Sequence, residues 1–127
     1  MKRIVCIFMA LLLTFTLFSC EANSYVATGM VRSSWGGEAS LKFLSFKGKQ
    51  SFTLRAEPDE SSLEYEASLT EGEITVYYFL DGDEGVLFTL KGGERVDSSF
   101  NYGGGNIRVR VVADDTCRGG SFEFELD

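Results

Sequence analysis

Histidine is absent from the 127 residues of the sequence. That absence excludes Ser-His-Asp and Cys-His catalysis and every histidine-ligated metal site. Proline is almost absent too: Pro58 is the only one. No linker, low-complexity segment or internal repeat divides the chain after its first two dozen residues. Positive charge is scarce, with 12 Lys and Arg against 19 Asp and Glu, for a net charge of −7. An acidic surface repels phosphate backbones and anionic headgroups, so no nucleic-acid partner is expected.

What is present begins at the N-terminus. Lys2 and Arg3 form a short positive head, and Ile4 to Phe18 is an almost unbroken apolar run. That is the length of a signal-peptide core and short of the roughly 20 residues a membrane-spanning helix needs. Polar Glu21, Asn23 and Ser24 follow, without a stop-transfer run of positive charge. The segment reads as an apolar, helical secretion signal.

Leu17-Phe18-Ser19-Cys20 resembles a bacterial lipobox. Leu17, Ser19 and Cys20 match that pattern, and Phe18 stands where a small residue is usual. The resemblance implies a small bacterial lipoprotein. Diacylglycerol is joined to the Cys20 thiol, the peptide is cut ahead of it, and the new amino terminus takes a further fatty acid such as palmitate. A thiolate is the nucleophile such alkylation needs, and two or three acyl chains hold a protein on a bilayer where one does not. The alternative is an ordinary cleaved signal in which Cys20 is incidental.

The expected organisation is a signal peptide over 1–19, a lipid-anchored tether over 20–24 and a β-sandwich domain over 25–127. At ~3.5 Å per residue the tether spans roughly 15 Å, which places the domain close to the bilayer. Removing residues 1–19 takes away Lys2, Arg3 and no acid, so the mature chain is more acidic still. Cys6 leaves with the signal and Cys20 is acylated. Cys117 is then a lone thiol near a turn, without an intramolecular partner.

The domain reads as all-β. Leu63, Tyr65, Ala67 and Leu69 alternate with Ser62, Glu64, Glu66 and Ser68, the period of a half-buried strand. A turn at Glu71-Gly72 pairs Leu69 with Ile74, Ala67 with Val76, Tyr65 with Tyr78 and Leu63 with Leu80. A second turn over Asp81–Gly85 pairs Leu80 with Val86, Tyr78 with Phe88 and Val76 with Leu90, making a three-stranded meander. Thr75, Tyr77 and Phe79 take its other face, whose aromatics imply partial cover. Ile107–Val111 and Phe122–Leu126 read as a hairpin with Arg108 and Arg110 beside Glu123 and Glu125. Tyr25–Arg32, Leu41–Phe46 and Ser51–Ala56 read as strands, with Lys47-Gly48-Lys49 as a turn. Ala39–Phe46 also fits one or two helical turns. Many of the 14 glycines fall between the apolar stretches. The fold class expected is an antiparallel β-sandwich, Ig-like or jelly-roll-like, of seven or eight strands.

Candidate sites are few. Asp81, Asp83 and Glu84 lie in a glycine-bounded turn and supply the oxygen ligands calcium requires, although a soluble hairpin turn has the same composition. No other cofactor is expected. Asp114-Asp115 adds carboxylates in another loop. Trp35, Tyr77, Phe79 and Tyr102 are the candidates for an aromatic sugar platform, or else core. The Asn101–Asn106 segment is glycine-rich, but no helix follows it, so a loop is expected and not a phosphate cradle. Nothing selects a catalytic pair among the acids, and the chain is not expected to be an enzyme. The expectation is a binding or adhesion module at the bacterial cell envelope, lipid-anchored on the extracytoplasmic side of the membrane. Its partner would be a glycan or an envelope protein. The alternative is a non-enzymatic structural or assembly subunit of an envelope complex.

Overall fold

The computed structural model describes residues 25–127; the expected signal peptide, Cys20 and the expected tether lie outside these. Eight strands form one antiparallel sheet: β1 (Tyr25–Thr28), β2 (Val31–Trp35), β3 (Glu38–Leu54), β4 (Ser62–Glu71), β5 (Glu73–Leu80), β6 (Asp83–Lys91), β7 (Arg95–Asn101) and β8 (Ile107–Leu126). No helix is present among the described residues.

Two strands are far longer than the usual five or six residues. β3 has 17 residues and β8 has 20, and they pair with each other along nearly their whole length. Both change phase at the same level. In β3 the buried residues are Ala39, Leu41 and Phe43, then Phe46, Gln50, Ser51, Phe52 and Leu54. In β8 they are Ile107, Val109, Val111, Ala113 and Cys117, then Gly120, Phe122, Phe124 and Leu126. The ladder slips between Phe46 and Gly48, where Lys47 stands against the extra residues Asp114 to Thr116. A bulge resets the alternation and bends the strand. Here it folds the sheet over while its inner face stays inside.

The fold divides the sheet into two layers. In the first, β1 and β2 lie end to end along β3, followed by β8, β4 and β7. In the second, the far half of β3 is followed by the near half of β8, then β5 and β6. The layers close on a common core of Leu41, Phe43, Phe46, Leu63 and Phe122 against Phe52, Val76, Leu90, Val109 and Val111. Tyr65 stacks on Phe88 with centroids 5.0 Å apart, and Tyr78 meets Phe100 at 4.8 Å. This is a β-sandwich, as expected.

Several expected connections are replaced. Lys47-Gly48-Lys49 is not a turn but the bulge within β3. Ala39–Phe46 is strand, not helix. Ile107–Val111 and Phe122–Leu126 are two ends of one strand and do not pair with each other. Tyr25–Arg32 is interrupted at Gly29, whose φ is 58°. Most important, β4 and β5 are not a hairpin. β4 pairs with β7 and β8, while β5 pairs with β6 and β8. Glu71-Gly72 carries the chain from one layer to the other. The β5–β6 hairpin exists, but its turn is shorter: Leu80 faces Asp83 and Val76 faces Phe88, with an irregularity beside Tyr77.

Gln50 is the polar exception in the core. Its Oε1 accepts a 2.6 Å hydrogen bond from Arg32 Nη1, and the Arg32 guanidinium lies 4.4 Å from the Phe52 ring centre. Arg32 faces Leu41 across the ladder, so this edge strand turns a charge inward. Burial lowers its pKa.

Candidate functional site

The two outer faces of the sandwich carry opposite chemistry. On the first layer, register sets Trp35, Glu38, Glu125, Glu64 and Ser99 in one row across β2, β3, β8, β4 and β7. The next row is Ser33, Ser40, Glu123, Glu66 and Asp97. Like charges directly opposite destabilise a sheet. Only Glu66 of these carboxylates has a cation beside it, Arg95 at 3.2 Å and well exposed, among the described residues.

Glu64 responds to this crowding. A hydrogen bond from its carboxyl to Asp127, followed by the negative charges of Asp127 and Glu125, raises its pKa. A raised folded-state pKa means that the native domain holds a proton the unfolded chain has released. Stability from this source is full below the unfolded glutamate range, near pH ~4.3, and is lost as pH rises through the folded value. The melting temperature is therefore expected to rise as pH falls from 7 toward 5, and to rise with salt at pH 7. A melting temperature that falls steadily over the same interval would show that the acidic rows are not strained.

The second layer presents a groove of about 560 Å³ lined by Lys49, Tyr77, Phe79, Val86, Arg110 and Val112, with Glu84 and Asp114 among its walls. Strand alternation turns these residues away from the core. The β3–β8–β5–β6 register arranges them in three rows. Lys49, Val112, Thr75 and Thr89 form the first, Ser51, Arg110, Tyr77 and Val86 the second, and Thr53, Arg108, Phe79 and Glu84 the third.

Phe79 is the centre of the charge arrangement. The Arg108 guanidinium carbon lies 4.7 Å from its ring centre and that of Arg110 lies 4.8 Å away. Arg110 Nε also donates to Ser51 Oγ at 3.2 Å. A guanidinium is drawn to the negative face of an aromatic ring while its N–H edges stay available to oxyanions. Neither arginine has a carboxylate partner within ion-pair distance among the described residues. In an acidic chain, two adjacent cations without such a partner are conspicuous.

The sequence-expected residues are dispersed. Tyr77 and Phe79 share the groove, but Trp35 lies on the acidic face and is 80% exposed. Tyr102 donates to the Gly105 carbonyl at 2.7 Å and closes its own loop, and its phenol is pushed up by burial. Asp81, Asp83 and Glu84 do not converge. Asp81 is in the turn, and Asp83 and Glu84 are consecutive on β6, so their side chains leave opposite faces. No group of three or more metal-ligating side chains occurs among the described residues. Asp114 joins the groove, whereas Asp115 offers its carbonyl to Cys117 Sγ at 3.4 Å. Cys117 is fully buried, and burial pushes its thiol pKa up. Arg108, Arg110 and Lys49 were not expected at a site. Their grouping depends on β5 lying beside β8, which local alternation does not encode.

No family model matches the chain, and no curated protein matches it. Similar solved structures are domains of Drosophila melanogaster CENP-C. One, bound to CAL1, has 13% identity over 80% of this chain and 85% of that one, with a TM-score of 0.35. Another, described as the CENP-C cupin domain, has 12% identity over 87% and 84% of the two chains, with a TM-score of 0.33.

Proposed function

We propose that this chain is an exported, lipid-anchored, non-enzymatic binding module whose β-sandwich presents the arginine–aromatic groove at the bacterial cell envelope. The observation that carries the binding role is the pair Arg108 and Arg110 on Phe79, without a carboxylate partner among the described residues. Such an arrangement contributes little to the fold and is suited to recognition. Anchoring rests on Leu17, Ser19 and Cys20, and location follows from it. Calcium is not required for this reading.

The second reading is an envelope assembly subunit that pairs through an edge strand. The apolar side chains exposed along β1 and β2 favour it, with Val26 at 75% and Val31 at 66%. The interruption at Gly29 and the inward-turned Arg32 act against it, since a broken edge with an inward-pointing charge is a poor template for strand addition.

Two measurements test the main reading. Cys20→Ala is expected to leave the protein unprocessed or released from the membrane fraction, and mass spectrometry of the parent is expected to find acyl chains on Cys20. An unmodified mature terminus, or a variant held as firmly as the parent, refutes the anchor. Capture of envelope material from intact cells is expected to be lost on Tyr77→Ala combined with Arg110→Gln; unchanged capture refutes the groove.

A further inference from the structure

We infer that the groove takes an acidic oligosaccharide, a chain of sugar rings bearing carboxylate or phosphate groups; this rests on the proposed binding role of the groove. Three features of one face converge on that chemistry. The first is the cation set. Lys49 of β3 and Arg110 of β8 line the groove, and Arg108, two residues before Arg110 on β8, lies against the Phe79 ring that lines it. A guanidinium edge matches the two oxygens of a carboxylate or phosphate. Both arginines are already oriented by Phe79, and Arg110 also by Ser51, so less side-chain freedom is lost on binding.

The second feature is the floor. The rings of Phe79 and Tyr77 alternate on β5 and project outward. Phe79 is engaged by the arginines, which leaves Tyr77, beside Val86 and Val112, as the apolar surface for the face of a sugar ring. The third is the distribution of small hydroxyls. Thr53, Thr75 and Thr89 lie in the three rows, and Thr75 and Thr89 are 3.4 Å apart through their Oγ1 atoms. Hydroxyls both donate and accept, as sugar hydroxyls demand.

The two carboxylates of the groove restrict the fit. Glu84 faces Phe79 across the β5–β6 ladder, and Asp114 lines the same groove as Lys49. Each accepts from sugar hydroxyls but repels a second anion. An anion with several charges on one group is therefore disfavoured, and a sugar chain with one carboxylate per ring fits. The acidic rows on the opposite face repel anions at long range, which confines productive contact to the groove.

The test uses the full-length lipidated protein in detergent micelles, titrated with galacturonate oligomers by calorimetry. Neutral galactose oligomers, inorganic phosphate and a polyglutamate peptide are the comparison probes. Galacturonate oligomers are expected to bind at least ten-fold more tightly than each of the three. Arg108→Gln and Arg110→Gln are each expected to weaken binding about ten-fold or more. Glu84→Gln is expected to tighten it a few-fold, and Trp35→Ala, on the other face, to leave it unchanged. Phenylglyoxal labelling of the unaltered protein gives a readout independent of any variant's folding. Galacturonate is expected to protect Arg108 and Arg110, with Arg95 and Arg118 labelled as before.

Equal binding of the neutral oligomer, lost on Tyr77→Ala, overturns the acidic ligand while leaving the groove as a binding site. Equal binding of polyglutamate or of phosphate overturns the sugar. No binding of galacturonate, or binding without protection of the two arginines, overturns the inference, whatever Cys20→Ala shows about anchoring.

Discussion

Val76→Asp is expected to lower the unfolding free energy by about 4 kcal/mol or more, and to leave little folded protein if the parent has ordinary stability. Val76 is fully buried in β5, facing Val111 of β8 on one side and Phe88 of β6 on the other. No cation lies within that apolar set, so a carboxylate there loses water and gains no partner. The residue adapts by taking up a proton, which makes the loss smaller at pH 4 than at pH 7. Val76→Ala separates the charge from the cavity: it is expected to cost only about 1–2 kcal/mol. Urea denaturation of the three proteins at both pH values measures the difference. Equal stability of parent and Val76→Asp would place Val76 outside the core and refute the β6–β5–β8 order.

Gly72→Ala is expected to cost about 3 kcal/mol, an unusual loss for one added methyl group. Two effects combine. Gly72 has φ of 103°, a conformation side-chain-bearing residues rarely adopt. A Cβ there also falls 2.6 Å from Cys117 Sγ and 3.0 Å from Cys117 Cα, so the neighbour has to move. This contact exists because Gly72 is where the chain crosses between layers, beside the bend in β8. In a β4–β5 hairpin the same residue would lie at a solvent-exposed turn, away from β8. Cys117→Ala removes the sulfur but not the backbone strain. The double variant is therefore expected to be more stable than the sum of the single effects implies, by about 1 kcal/mol. Strict additivity in denaturant titrations would show that Gly72 and Cys117 are not in contact and would restore the hairpin.

Which residues of a strand face the core is legible from local alternation. Period-two alternation over Leu63–Leu69 and Ile107–Val111 identified inward residues, and these are buried except Tyr65, which is half-buried against the core. Leu63, Ala67, Leu69, Ile74, Val76 and Leu90 all enter the core. The outward placement of Thr75, Tyr77 and Phe79, with partial cover, was legible for the same reason: alternation is a local property of the strand. The all-antiparallel class follows from the frequency of such segments and of glycine between them, but their division does not: β7 was not legible, and β3 and β8 each join two segments that read as separate strands.

Which strands are neighbours is set by long-range pairing and is not legible from local pattern. The phase breaks at Lys47-Gly48 and at Asp114–Gly119 resemble turns in sequence, because a bulge and a turn both interrupt alternation. They differ in whether the partner strand breaks at the same level, and β3 and β8 do so more than sixty residues apart. The meander looked self-consistent because adjacent alternating segments can always be paired inward face to inward face. Long-range pairing with β8 won instead, since it buries both β4 and β5 between two neighbours. The groove is a product of that competition. Arg108 and Arg110 belong to one strand, and Tyr77 and Phe79 to another about thirty residues earlier. Beside Glu123 and Glu125 the arginines would have been neutralised. The β5–β8 pairing places them on Phe79 without a carboxylate partner, and this converts a surface alternation into a candidate binding site.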